Sequence, residues 1–221
     1  MQAKSTPVYS NQKGPHPDLE RQVRRALSSA WQRPFSEHAR RAFDESMKWR
    51  ARYSHCPLIL DSGCGVGLST RQLAEAFPES VVIGVDRSAD RLSREHGRLP
   101  DNALLVRADL VDFWRLVRQE KVSVSQHYLL YPNPYPKASQ LKYRWQGHPV
   151  LPDLLALGGR LEMRTNWDIY AQEFALAVGW ARREVYRAEP FDPGNHYLTH
   201  FERKYSQSGH DLWRVVAELS E

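Results

Sequence analysis

The chain has 221 residues, 41% of them hydrophobic, and a formal net charge of +5, which is enough for one sizeable α/β domain with an extension. No run of 18 apolar residues is present to span a membrane, and the opening Met1-Gln2-Ala3-Lys4-Ser5-Thr6-Pro7 lacks a signal-peptide core. Cys56 and Cys64 alone make neither a disulfide framework nor a metal cluster, so the expectation is a cytoplasmic chain with no metal.

The positive charge is concentrated at one end. Residues 1–55 hold eleven Lys or Arg against five acids, a net +6, and the remainder is −1. A basic extension on a near-neutral domain suits a polyanionic partner such as nucleic acid, and a solvated helix face is the plainer alternative. The expected division is residues 1–55 as arm and basic helices and residues 56–221 as the main domain. Pro7, Gly14, Pro15 and Pro17 make residues 1–17 an irregular arm. Asp18 can then cap a helix with Leu19, Val23, Ala26, Leu27 and Ala30 on one face and Arg21, Arg24 and Arg25 on another. Pro34 breaks it. Ser36 can cap a second helix, with Ala39, Phe43, Met47 and Ala51 inward and Arg41, Lys48 and Arg52 outward.

From Leu58 onward strands alternate with helices, the pattern of a mostly parallel sheet. Strands are expected near 57–61, 81–86, 103–107, 126–131 and 160–165. Helices are expected near 68–77, 88–96, 109–118, 150–157 and 167–182. Residues 199–205 and 211–217 flank a turn-rich stretch and read as a closing antiparallel hairpin. Trp49, Trp114 and Trp180 read as core. The nine histidines show no metal spacing: His196 and His200 fall in or before a strand, and His148 and His210 are either solvated or at the site.

Chemistry is expected at the carboxyl ends of the strands. Leu58-Ile59-Leu60 runs into Asp61-Ser62-Gly63-Cys64-Gly65-Val66-Gly67, and a helix opens behind it. Glycines at alternate positions let backbone approach a ligand. The next strand ends in Asp86, 21 residues after Gly65, where an acid can accept both hydroxyls of a ribose. Leu68 stands at the third glycine of G-x-G-x-x-G, which argues against a dinucleotide. Asp-x-Gly-x-Gly-x-Gly instead resembles motif I of the S-adenosylmethionine-dependent methyltransferases. Asp109 is placed to meet an adenine amino group or to cap a helix, or both. Cys64 reads as a small buried side chain.

The stretch Tyr131-Pro132-Asn133-Pro134-Tyr135-Pro136-Lys137 is the second marked feature. Its prolines stiffen the loop and are expected to push Tyr131, Asn133 and Tyr135 toward extended geometry. Lys137, Lys142 and Arg144, interleaved with Tyr143 and Trp145, suit phosphates and base stacking.

Four stretches together resemble the bacterial tRNA (guanine-N7)-methyltransferase family: Asp61 to Gly65, Pro132 to Lys137, Arg164-Thr165-Asn166-Trp167-Asp168-Ile169-Tyr170, and Thr199-His200-Phe201-Glu202. The resemblance implies a Rossmann-like class I methyltransferase of α/β fold, with a mostly parallel seven-stranded sheet, an antiparallel C-terminal hairpin and N-terminal helices. It implies S-adenosylmethionine as cofactor and tRNA as partner, with the chain a monomer or homodimer. Asp61, Gly63, Gly65, Asp86 and Asp109 match the cofactor-binding positions. Asn133 stands where the family has a site-lining aspartate, touching cofactor and reaction centre. Lys137, Asn166, Thr199, Phe201 and Glu202 match substrate-binding positions. Both family aspartates are asparagine here, Tyr135 replaces a tryptophan, and Tyr205 stands near the family's usual glycine.

Guanine N7 carries an in-plane lone pair and no proton, so its methylation needs alignment rather than a general base. Two other readings remain open. One is methyl transfer to an amide or exocyclic amine, from the faint likeness of Asn133-Pro134-Tyr135 to an Asn-Pro-Pro-Tyr loop. The other is an RNA-binding protein that keeps the cofactor pocket without turnover, from the paired asparagines.

Overall fold

Leu58-Ile59-Leu60 and Val81-Val82-Ile83 are apolar at every position, as strands covered on both faces require. The computed structural model describes residues 5–94 and 96–219. It forms Leu58–Ser62 (β1), Val81–Asp86 (β2), Ala103–Arg107 (β3), Gln126–Leu130 (β4), Arg160–Thr165 (β5), Glu189–Pro190 (β6) and Trp213–Glu218 (β7). Their order in the sheet is β3-β2-β1-β4-β5-β7-β6. β1 pairs parallel with β2 (Leu60 opposite Ile83) and with β4 (Leu60 opposite His127). β6 pairs antiparallel with β7. The helices are Leu19–Ser28 (α1), Glu37–Arg50 (α2), Leu68–Ala76 (α3), Ala89–Leu92 (α4), Leu110–Gln119 (α5), Leu151–Leu155 (α6), Asp168–Arg182 (α7) and His200–Gln207 (α8). No helix among the described residues is long and apolar enough to cross a membrane.

The chain divides into two compact units. One holds Arg33–Leu130, Ala156–Leu161 and the chain from Glu218; the other holds the chain through Gln32, Tyr131–Leu155 and Glu162–Ala217. In the first, β1 and β2 are buried throughout, and each such aliphatic side chain is worth about 1.5–3 kcal/mol. α2 packs on α5, where the Phe43 and Phe113 rings meet edge-on at 5.6 Å. The Ser36 hydroxyl caps α2 as expected, accepting from the Ala39 N–H. In the second unit α1 lies on α7 and α6 and buries Leu19, Val23 and Ala26.

Several expectations need correction. Leu27, Ala30 and Ala51 are exposed and Met47 is half-buried, so the apolar faces of α1 and α2 are narrower than the pattern suggests. Asp18 precedes α1 without a side-chain cap and pairs with Arg21 at 3.0 Å instead. Trp114 is buried, whereas Trp49 and Trp180 are half-buried. The helix expected over 88–96 is one turn, Ala89–Leu92; Glu95, like the first four residues of the expected arm, lies outside the described residues. Residues 200–205 are helix, not strand: the Thr199 hydroxyl accepts from the Glu202 N–H at 2.9 Å, an N-cap that starts α8. The antiparallel partner of β7 is therefore β6.

Candidate functional site

One cluster of candidate residues grows from the end of β1. Asp61 is buried, and Ser69 Oγ and Thr70 Oγ1, at the start of α3, both donate to its Oδ2 at 2.6 Å. Its Oδ1 is buried without a partner. Burial pushes the Asp61 carboxyl up to about 6, opposed by the two hydroxyls and helped by Asp86 nearby. Thr70 reaches Asp61 because β2 carries Gly84 beneath it: a Cβ there would collide with Thr70 Oγ1. Gly63 and Gly65 have φ of 80° and 59°, a region costly for other residues. A Cβ on Gly65 would meet nothing within 4 Å, and one on Gly63 only Leu110 Cδ1 at 4.0 Å. Backbone is thus bare toward open space beside a buried acid with an unused acceptor, a cradle that fits an adenosyl sulfonium with its amino and hydroxyl donors.

Asp86 braces the loop. Its Oδ2 accepts from the Gly65 N–H at 3.0 Å and its Oδ1 from the Ser88 N–H at 2.8 Å. Each carboxylate oxygen can accept twice, so capacity for two hydroxyls remains. Asp109 caps α5 through the Val111 N–H at 2.9 Å, and Arg33 lies 3.5 Å from the same oxygen and 2.8 Å from Asp112. Its side chain stays 43% exposed, so cap and ligand contact are compatible. Arg33, counted above with the polyanion-facing charge, is committed to these two acids. Cys64 is buried, and its thiol is pushed up by burial beside Asp61 and Asp86, as suits a packing residue.

Because the folded-state value of Asp61 lies above that of an unfolded aspartate, the native state binds the extra proton. Asp61 therefore contributes stability below about pH 4 that is lost as pH rises through about 6. The expected result is that Asp61→Asn melts higher than wild type at pH 7.5, by about 3 kcal/mol at most, with the gap closing toward pH 4. Thermal melts of the two proteins without cofactor check this. His127, pushed down to about 3 by burial, titrates alike in both and cancels.

A second cluster of candidate residues belongs to the other unit. Tyr131 and Tyr135 bracket the proline loop at φ of 50° and 45°, not in the extended geometry expected; such non-glycine residues cost on the order of 1–3 kcal/mol each. Both are pinned. The Tyr131 N–H donates to the Arg164 carbonyl at 2.8 Å and its hydroxyl to Glu202 Oε1 at 2.9 Å. The Tyr135 carbonyl accepts from Arg144 Nε and Nη2 at 3.1 and 3.0 Å. Between them Asn133 is exposed, as are Lys137, Lys142 and Tyr143. Arg144, expected to face phosphates, is instead buried against Glu173, its Nη1 donating to both carboxylate oxygens at 2.8 Å.

Glu202 has no face open to solvent. It accepts from Tyr131, from Arg164 Nη1 at 3.0 Å and from the Leu198 N–H at 2.7 Å, and Arg164 also pairs with Glu162 at 2.7 Å. Burial and the neighbouring carboxylate push the Tyr131 hydroxyl up, so it stays a donor. Thr199 is spent as the α8 cap. Phe201 is 49% exposed and stacks on Tyr205, which stacks on His210. Asn166 lies against that ring: His210 Nε2 is 3.0 Å from the Ser5 carbonyl, which fixes Nε2 as donor, so Asn166 Nδ2 donates to Nδ1 at 3.1 Å.

The structure thus gathers Asp61, Gly63, Gly65 and Asp86 around one loop, with Asp109 capping a helix of the same unit. In the other unit Thr199 and Glu202 join Tyr131 and Arg164, while Asn133 and Lys137 lie exposed on the loop. Sequence reading missed Ser69, Thr70, Arg164 and the inward role of Arg144. The hydroxyl pair directly behind the glycine loop was the available signal for the first two.

A family model described as "Putative methyltransferase" matches residues 55–215. A tRNA (guanine-N(7)-)-methyltransferase of Hydrogenovibrio crunogenus is 30% identical over 73% of this chain and 72% of its own. One from Nitrosospira multiformis is 26% identical over 72% and 73%. Among solved structures, an antibiotic-related methyltransferase superposes with a TM-score of 0.58 at 13% identity, covering 85% of this chain and 96% of its own. A 16S rRNA (adenine(1408)-N(1))-methyltransferase from Catenulisporales acidiphilia gives 0.55 at 17%, covering 79% and 91%. These two speak for the Rossmann-like fold alone. The family match over 55–215 and the 30% identical relative are decisive: the chain is a divergent member of the tRNA (guanine-N(7)-)-methyltransferase family.

Proposed function

We propose that the protein methylates N7 of a guanine in tRNA with S-adenosylmethionine as donor, in the cytoplasm. The observation that carries the reading is the cradle: a buried Asp61 with an unused Oδ1 beside bare Gly63 and Gly65 backbone, in a chain whose relatives bear this activity in their names.

Asp61, Asp86, Asp109 and the glycine loop would hold the cofactor. When bound, it supplies an electrophilic methyl on a sulfonium. The chain need not remove a proton, since the accepting nitrogen has none; it orients the base and keeps water out. Asn133, Lys137 and Asn166 are the proposed polar contacts to the nucleotide, with Phe201 as a stacking face. Glu202, closed off from solvent, acts by holding Tyr131 and Arg164. Residues 1–55 are proposed as the part that meets the tRNA backbone: Arg21, Arg24, Arg25, Arg41, Lys48 and Arg52 are all exposed, although Arg21 and Arg24 also carry surface ion pairs.

The test is transfer of labelled methyl to unmodified tRNA with the modified position mapped. Label at guanine N7 is expected. Label on protein or on an exocyclic amine would replace the reading with the second one considered from sequence. Tight tRNA binding without transfer would replace it with the third.

A further inference from the structure

Arg144 and Glu173 form an ion pair with both side chains buried, and neither belongs to one of the four motif stretches. Nothing in such a pair favours stability by itself: desolvation of two charges offsets most of their attraction. Its surroundings show where the guanidinium is used. Beyond Glu173, Arg144 donates to the carbonyls of Tyr135 at 3.0 and 3.1 Å and of Lys137 at 3.2 Å. It lies 4.8 Å over the Trp167 ring. Glu173 in turn accepts from Gln146 Nε2 at 3.0 Å, from the His16 N–H at 2.9 Å and from Gln12 Nε2 at 3.2 Å. Gln12 Oε1 accepts from Arg144 Nη2, and Ser10 Oγ donates to the Pro136 carbonyl at 2.7 Å.

We propose that the Arg144–Glu173 pair is the positioning element of the proline loop, clasping its Tyr135 and Lys137 carbonyls to α7 and to residues 10–16 of the N-terminal arm. The inference rests on the reading above that this loop meets the nucleotide. Tyr135 sits at φ 45°, a conformation the loop would leave if its carbonyl were released. Three prolines restrict where it could go, so release would move Asn133 and Lys137 together rather than loosen one side chain. A misplacement of about 1 Å at a reacting geometry costs on the order of 10²-fold in rate. The arm is accordingly part of the site's support, not a tail.

The test uses the full chain and the double variant Arg144→Met with Glu173→Leu. Apolar replacement removes the desolvation cost of the pair itself but leaves the Tyr135 and Lys137 carbonyls, Gln146 and the His16 N–H without their partner, so the melting temperature should fall while the chain stays folded. Amide hydrogen exchange should speed up at least tenfold at His16 and Lys137, whose N–H groups are hydrogen-bonded in the arm and the loop, while β1 and β2 stay protected. With tRNA and labelled cofactor, kcat should fall on the order of 10²-fold, with KM for tRNA within a few-fold. A folded double variant with wild-type exchange at Lys137 and wild-type kcat overturns the proposal. Should the double variant not fold, Glu173→Gln decides: faster exchange at Lys137 supports the clasp, and unchanged exchange overturns it. Absence of transfer by the wild-type protein would count against the proposed function and leave the exchange result to decide the clasp.

Discussion

Glu202→Ala is expected to destabilise its unit by about 3–5 kcal/mol, the cost of removing one member of a buried ion pair, and to abolish methyl transfer. The carboxylate is closed from solvent and serves three donors: the Tyr131 hydroxyl, Arg164 Nη1 and the Leu198 N–H. None finds a replacement in a methyl group. Arg164 keeps Glu162 at 2.7 Å and the face of the Phe191 ring at 4.2 Å, but Tyr131 loses the anchor that holds its φ of 50°. Glu202→Gln keeps part of this. Its one amide oxygen can still accept from Tyr131 and Arg164 while the charge and the Leu198 N–H contact are lost, so its melting point should fall less than that of Glu202→Ala, and the loop should stay in place. Denaturation curves of both variants, read beside their kcat, check this. Equal loss of stability in the two would show that the bonds to Tyr131 and Arg164 alone do not account for what Glu202 provides.

Much of this architecture is readable in the residues because its signals are local. β1 to β5 begin and end within a residue or two of the expected positions: β1 and β2 open as short apolar runs and β5 alternates apolar with polar residues, each bounded by turn chemistry. The glycine loop declares itself through three glycines behind an acid. What escaped reading depends on partners distant in the chain. Arg144 stands in a run that looks like an exposed basic stripe, and its burial follows from Glu173 on α7 and Gln12 in the arm. The positive φ at Tyr131 and Tyr135 runs against the extended preference of residues before proline; it holds because Glu202 and Arg144 over-determine it. The strand expected over residues 199–205 gives way to α8 for another reason. Thr199, Phe201 and Tyr205 favour strand, and that outweighed the Thr-x-x-Glu spacing, which is a helix-start signature and is the one the fold uses. Glu202 therefore heads inward from the first turn of a helix.

The asparagines carry the other large effect. If the base gains positive charge as the methyl arrives, a carboxylate about 4 Å away is worth at most ~4 kcal/mol at an effective dielectric of ~20, or up to ~10³ in rate. Asn133→Asp is exposed at the loop tip and breaks no contact, so its kcat should rise toward that limit. Asn166→Asp should behave differently. The amide donates to His210 Nδ1, whose ring is held as the Nε2–H tautomer by the Ser5 carbonyl. A carboxylate has no proton to give, so the variant loses this contact and sets two acceptors against each other. The Asn166→Asp variant should therefore gain less rate than Asn133→Asp, because the His210 ring and the Tyr205 stacked on it no longer hold residue 166 in place. Rates of methyl transfer for both single variants check this. A wild-type rate in both would mean that charge at these positions does not limit the reaction. An Asn166→Asp gain equal to that of Asn133→Asp would mean that His210 does not govern residue 166.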